Sequence, residues 1–279
     1  MGVIAPLRFD VPPAVSLFSV AMPRKRNAGE IPRIEASAQT LCVSAAAYSR
    51  VCGFPETGFV PPTYPDVLTR GLQLAVLTHG AFPLPLLGIL HTEQRIELLR
   101  PVAVDEVLSG RCWVEGSRVV RKGVEFDLHS AVSVAGEDVW SGVTTILSRA
   151  RTGDGVKRPR PQPAGWTAQR SVVWSLPPDQ GRRYAAVSGD NNPIHLYRWS
   201  AKLFGFSRPI AHGWWTLARA LAELDLSAER PCVINARFLA PVPLPGRVTF
   251  ESGPLQTSGG LHFELRRKDV CVTGEVHPT

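Results

Sequence analysis

The chain predicts an α+β fold that is built twice. Three observations carry that reading. Two stretches are apolar enough to be buried helices, an alternating strand hairpin follows each of them, and short segments of the first half recur in the second.

Each half shows the same coarse order: a short strand and a small helix, a loop, an apolar helix, then three or four long strands. In the first half the apolar helix is expected over about Asp66 to His79, with Thr63-Tyr64-Pro65 as its start signal. In the second it begins near Gly213 and continues through Trp214, Trp215, Thr216, Leu217, Ala218, Arg219, Ala220, Leu221 and Ala222. A helix apolar on nearly every side should be buried on nearly every side. Val124, Phe126 and Leu128 alternate before a turn at Gly136-Glu137-Asp138, and Val139 and Val143 follow it. Phe263 and Leu265 do the same before Lys268-Asp269, with Val270, Val272 and Val276 beyond. A buried helix followed by an antiparallel meander predicts a curved sheet wrapped around the helix, the hotdog shape. The expected architecture is therefore a double hotdog: two antiparallel sheets, each wrapped around a long buried helix.

The repeat supports the doubling. Arg95-Ile96-Glu97-Leu98-Leu99-Arg100-Pro101-Val102 corresponds to Asn235-Ala236-Arg237-Phe238-Leu239-Ala240-Pro241-Val242. Tyr48-Ser49-Arg50-Val51-Cys52-Gly53 corresponds to Tyr184-Ala185-Ala186-Val187-Ser188-Gly189. Residues 151–168 combine Gly, Pro and basic residues without hydrophobic periodicity, which is linker chemistry. The expected division is 1–150 for an N-terminal arm and a degenerate first hotdog, 151–168 for the linker, and 169–279 for the catalytic hotdog.

Composition excludes several classes. With 279 residues, 44% hydrophobic and 20% charged, the chain has material for a sizeable core and is neither disordered nor fibrous. The net charge of +7 favours an acidic or phosphate-bearing partner. Its basic clusters (Arg24-Lys25-Arg26, Lys157 to Arg160, Arg266-Arg267-Lys268) are too short for a nucleic-acid stripe, so no nucleic acid is expected. The five cysteines are scattered, odd in number and without a CxxC pair, which suits reduced thiols in a cytoplasmic protein and no metal site. The N-terminus lacks an apolar signal core. The most apolar stretch, Val67 to Leu90, contains Arg70, His79, Pro83 and Pro85, so no membrane span is expected.

The chemistry concentrates in Gly189-Asp190-Asn191-Asn192-Pro193-Ile194-His195 and in Pro209-Ile210-Ala211-His212-Gly213. Gly, Asp, Asn, Asn and Pro in a row are turn formers, and Pro193 pushes Asn192 into an extended conformation. A polar bend between apolar Val187 and Ile194 lets Asp190 and His195 point into a common cleft, where carboxylate and imidazole reach one water as an acid–base pair. Gly213 opens a buried helix whose first N–H groups have no partner in the helix, and without a side chain there a carbonyl oxygen can approach them as in an oxyanion hole. Each residue alone has a plainer role: Asp190 in an Asx-turn, His195 as a satisfied core histidine, Gly213 as a packing glycine.

Residues 184–201 resemble the signature of the MaoC-like (R)-specific enoyl-thioester hydratases, or hydratase 2. That signature is an aromatic residue, Ser-Gly-Asp-x-Asn-Pro, an aliphatic residue and His, with Ala further on. Tyr184, Ser188, Gly189, Asp190, Asn192, Pro193, Ile194, His195 and Ala201 meet it, and His212-Gly213 matches the family's helix start. Over residues 30–279 the chain resembles the actinobacterial double-hotdog 3-hydroxyacyl-thioester dehydratases. The resemblance implies that Asp190 and His195 hold and activate a water, that the Gly213 N–H binds the thioester oxygen, that Asn192 shapes the loop and touches substrate, and that Phe238 lies near the bound thioester. It further implies reversible syn addition of water to a trans-2-enoyl thioester, with no cofactor and no metal. The substrate partner would be an acyl-CoA or acyl carrier protein thioester, with a homodimer as the expected assembly. Aligning Cys52-Gly53 with Ser188-Gly189 places Phe54 at the position of Asp190 and Phe59 at that of His195, so the first half is expected to be inactive and to provide a channel for the acyl chain. Two other readings stay open: a hotdog thioesterase, and a non-catalytic scaffold subunit of a lipid-synthesis complex.

Overall fold

In the computed structural model, residues 7–10, 31–41, 43–86, 89–149, 165–226, 230–256 and 259–279 are described. Most of the expected linker, the Arg24-Lys25-Arg26 cluster and Cys42 lie outside them.

The elements follow the expected order. Strands β1 (Leu7–Asp10) and β2 (Ile34–Leu41) precede helices α1 (Ala45–Cys52), α2 (Tyr64–Leu68) and α3 (Arg70–Thr78). Strands β3 (Leu90–Leu98), β4 (Leu108–Val120), β5 (Gly123–Val134) and β6 (Glu137–Arg149) complete the first repeat. The second repeat runs through β7 (Arg170–Leu176), α4 (Gln180–Ser188), a 3-10 turn at Pro193–His195, α5 (Arg198–Leu203) and α6 (Gly213–Glu223). It ends in β8 (Cys232–Phe238), β9 (Gly246–Pro254), β10 (Leu261–Arg266) and β11 (Val270–Pro278).

Contacts divide the chain into two compact units that do not follow chain order. One takes residues 1–43, 68–95 and 105–161. The other takes 44–67, 96–104 and 162–279, so α1 and the loop after it belong with the second repeat.

In the first unit the strands run in the order β1-β2-β4-β5-β6-β3. Leu72, Ala75, Val76 and Leu77 of α3 form one core cluster with Ile34, Ala36, Cys112, Val114, Phe126 and Leu128 of the sheet. Three details depart from expectation. The apolar helix is interrupted at Thr69, whose buried hydroxyl accepts from Gln73 Nε2; Gln73 also reaches Ser130 Oγ. The sheet is not wholly antiparallel, because β1 pairs with β2 in parallel and covers backbone groups that an edge strand would expose. The β5–β6 turn also comes earlier than expected, at Ala135-Gly136 with φ of 50° and 88°, and Glu137 already belongs to β6.

In the second unit the strand order is β8-β11-β10-β9-β7. With β2 matched to β7, β3 to β8 and so on, this is the order of the first sheet without β1, which is the topological form of the repeat. Helix α6 is buried at Trp214, Trp215, Thr216, Leu217, Ala218, Ala220 and Leu221, as its composition requires. Helix α1 supports it: Trp215 Nε1 donates to the Val51 carbonyl at 3.1 Å, and Tyr48 and Tyr184 lie with ring centroids 6.0 Å apart. Among the described residues, no helix is long and apolar enough to cross a membrane.

Candidate active site

The site is built from the C-terminal end of α4 and the N-terminal end of α6. Helix α4 stops at Gly189, which adopts φ 69° and returns its N–H to the Ala185 carbonyl, a left-handed cap that favours glycine. The chain then folds tightly. Asn192 N–H donates to Asp190 Oδ1 at 3.2 Å, so Asp190 does form an Asx-turn, and that bond orients its carboxylate. Asn192 Oδ1 in turn accepts from the Ile194 N–H and caps the 3-10 turn that carries His195.

His195 is 8% exposed. Its Nδ1 lies 2.7 Å from the Ile210 carbonyl. A carbonyl only accepts, so Nδ1 carries a proton, and in the neutral ring Nε2 presents a lone pair. Burial pushes the His195 pKa below the ordinary imidazole value, against the opposing influence of the Asp190 carboxylate and the Ile210 carbonyl. The ring is therefore held as a neutral base.

His212 closes the site. Its imidazole stacks on His195 with centroids 3.7 Å apart and 29° between planes, and its Nε2 donates to the Asp190 carbonyl at 3.0 Å. One donor atom from each of Asp190, His195 and His212 falls within 4.8 Å of the others. Asp190 and His195, far apart in chemistry but close in chain, are thus brought together as expected. The three could offer a divalent ion a carboxylate and two imidazoles; the same spacing suits one water hydrogen-bonded between carboxylate and imidazole.

Gly213 follows His212 as the first residue of α6. A Cβ built there would come within 3.1 Å of the Phe238 ring, so Phe238 packs directly against the helix start. In the first helical turn the Gly213 N–H has no carbonyl one turn earlier to bond. The five residues expected from the sequence thus fall into two spatial groups, the Asp190–Asn192–His195 loop and the Gly213–Phe238 contact.

Three contributions were not legible beforehand. Gly181 lies inside α4, and a Cβ there would come within 1.9 Å of the His195 carbonyl oxygen, so only glycine lets the Asp190–His195 loop lie this close. A glycine in a helix costs roughly 1 kcal/mol relative to alanine, which is the one sequence signal that something approaches it. His212 and the Ile210 carbonyl act through contacts across space. The thioesterase reading needs a carboxylate working from the central helix. The acid present is Glu223 in the last turn, and it is held by Arg170 and Arg219.

The expected counterpart of His195 in the first repeat needs correction. Val104 N–H donates to Gly58, and Val60 N–H to Val102. Leu244 N–H donates to Pro209, and Ala211 N–H to Val242, in the same pattern. The bridge Phe59–Ala103 likewise matches Ile210–Pro243. Phe59 therefore corresponds to Ile210, not to His195. The first repeat lacks the whole segment bearing the 3-10 turn and α5, and Pro61-Pro62 stand where the second repeat has His212-Gly213.

Comparison with known proteins identifies relatives of this chain and of its fold. The MaoC like domain matches residues 151–259. A 3-hydroxyacyl-thioester dehydratase X of Mycobacterium tuberculosis is 39% identical over 72% of this chain and 72% of its own length. A peroxisomal enoyl-CoA hydratase 2 of Arabidopsis thaliana is 29% identical over 67% of this chain and 66% of its own. The crystal structure of HtdX from Mycobacterium tuberculosis superposes with a TM-score of 0.75 at 33% identity, covering 88% of this chain and 100% of that one.

Proposed function

The chain belongs to the MaoC-like dehydratase family and is a hydratase/dehydratase of fatty-acid metabolism; on that premise we propose that Asp190, His195 and the Gly213 N–H interconvert trans-2-enoyl and (3R)-3-hydroxyacyl thioesters. The observation that carries this assignment is the convergence of the Asp190 and His195 donor atoms within 4.8 Å beside a helix start free of any side chain.

In the hydration direction, Asp190 orients a water through one of its O–H groups, and neutral His195 accepts the other proton at Nε2. The water oxygen bonds to C3, and the C2–C3 π pair moves toward the thioester carbonyl. Enolate charge then develops on that oxygen, where the Gly213 N–H and the positive end of α6 stabilise it more than they do the neutral ground state. The His195 imidazolium returns its proton to C2. Both additions come from one face, which gives syn stereochemistry and restores the neutral base. Phe238 walls the position beside Gly213, and Asn192 keeps the acid–base loop in shape. These steps require no metal or organic cofactor.

The first repeat is assigned a non-catalytic role. The +7 charge favours a CoA or phosphopantetheine carrier. A cytoplasmic location is supported by the buried free thiols, among which burial pushes Cys52 up to about 12 and Cys232 up to about 11. The proposed assembly is a homodimer, which sedimentation would test.

The test is crotonyl-CoA hydration by folded Asp190→Asn and His195→Gln, each expected to lose about 10²–10⁴-fold in kcat. Retention of a near-wild-type rate by either variant removes that residue from the mechanism, and a (3S) product would overturn the proposed face. Because His195 must be neutral to accept the proton, and burial lowers its pKa, the acid limb of kcat/KM should lie below the ordinary imidazole value of roughly 6.5.

A further inference from the structure

We infer that His212 is a positioning residue, one that holds Asp190 and His195 in register with the first N–H of α6. The inference rests on the hydratase reading of the site and assigns a part to a residue outside the acid–base pair.

His212 occupies the N-cap position of α6, yet its side chain makes no capping hydrogen bond. It is 1% exposed, so an apolar ring would fill the same space without the cost of burying a polar one. Its polar edge is spent instead on the catalytic loop, through the Nε2 bond to the Asp190 carbonyl. Its face is spent on His195, through the 3.7 Å stack. Tyr184 of α4 also packs on the ring, at 4.9 Å between centroids and 51° between planes. One side chain thus touches both members of the pair, while its own backbone leads directly into Gly213.

Two consequences follow for the chemistry. The stack fixes the plane of the His195 ring, already held at Nδ1 by Ile210, so that Nε2 keeps one direction. It also keeps solvent from that face of His195, and burial is the main cause of its lowered pKa. The first repeat supplies an internal control. Where there is no pair to hold, the matching position is Pro61, which has neither a stacking imidazole nor a side-chain donor.

The titratable groups facing His195 are Asp190 from the loop and His212 from the start of α6, with Tyr184 of α4 in contact with His212. The experiment uses the full chain and three substitutions that separate the contacts. His212→Phe keeps a ring for the stack and loses the donor. His212→Gln keeps a donor near the Nε2 position and loses the stack. His212→Ala loses both. Circular dichroism and thermal melting establish that each is folded.

In crotonyl-CoA hydration His212→Ala should lower kcat about ten- to hundredfold, as expected for a misplaced acid–base pair, with KM within about threefold of wild type. The Phe and Gln variants should fall between. NMR titration of the His195 ring reads the contact without any substrate: its midpoint should rise in His212→Ala and His212→Gln and stay near wild type in His212→Phe. If folded His212→Ala keeps the wild-type kcat and the wild-type His195 titration, the inference is overturned. It is equally overturned if all three variants lose thermal stability alone. A wild-type chain that does not hydrate crotonyl-CoA, yet shows the His195 titration shift in His212→Ala, would instead count against the hydratase reading.

Discussion

The loop after α1 and the loop after α4 begin as copies and end as opposites. Each helix closes on a glycine in the left-handed region, Gly53 at φ 85° and Gly189 at φ 69°. Each loop then pairs with the segment that follows a strand, β3 or β8, through matching backbone bonds, Val60 to Val102 and Ala211 to Val242, both 2.8 Å. Between those fixed points the second loop holds the 3-10 turn with His195 and all of α5, while the first runs almost directly from Gly53 to Phe59. The helix starts differ as well. His212-Gly213 offers a backbone donor, whereas Pro62 has no N–H to offer. The first repeat therefore lacks counterparts of Asp190, His195, His212 and the Gly213 N–H together, which on the proposed reading removes the acid–base pair, its support and the oxyanion donor, while the scaffold around them persists.

The structural cost of that difference can be tested by carrying features across. The largest effect is expected from Gly213→Pro, which gives the second repeat the residue of the first. Proline is tolerated at the first helical position, and His212 already has the extended φ −63°, ψ 135° that a following proline requires. The fold should hold while kcat drops about 10²–10³-fold through loss of one oxyanion donor. Gly213→Ala keeps the N–H and only presses a methyl toward Phe238, so it should lose far less. Equal losses in the two would mean that the donor is not what matters there.

Gly181→Ala is expected next. Its Cβ would meet the His195 carbonyl oxygen at 1.9 Å, and backbone cannot yield as a side-chain tip can. Displacing the loop should cost about 1–3 kcal/mol in denaturant unfolding, with a larger relative loss in hydration rate than in stability. A variant as active as wild type would show that the loop tolerates the shift.

The smallest effects separate the two capping glycines. Alanine at either should cost roughly 1 kcal/mol for a left-handed conformation. At Gly53 the added Cβ also meets the Arg219 guanidinium at 1.9 Å, close to its pair with Glu223, whereas at Gly189 nothing lies within 4 Å. Gly53→Ala should therefore lower the melting temperature more, and Gly189→Ala should lower the hydration rate more, since its loop carries Asp190. The reverse order in both measurements would break the comparison.

Much of this was legible in the residues. Alternation in β5, β6, β10 and β11, the mostly apolar composition of α6 and the Tyr48/Tyr184 repeat pointed to two copies of one unit, and the strand orders agree. As candidates, Asp190, Asn192 and His195 were legible because turn chemistry and motif occupy one continuous stretch, and Gly213 because it opens the apolar helix. Phe59 was misaligned because spacing counted from Gly53 cannot register a segment that is missing. The break at Thr69 and the parallel strand β1 were hidden for a related reason: both depend on neighbours from other parts of the chain.

By itself, then, the sequence determined what local chemistry can determine: helix and strand periodicity, the turn that bends the loop at Asp190, and the side-chain-free helix start at Gly213. Tertiary structure decided the rest. It placed α1 with the second repeat, set His212 against both Asp190 and His195, and made Gly181 the only residue type that admits the His195 backbone. Those outcomes turn on close approach between segments distant in the chain. Periodicity reports which face of an element is buried, and it carries no record of which atoms come within a few ångströms of that face.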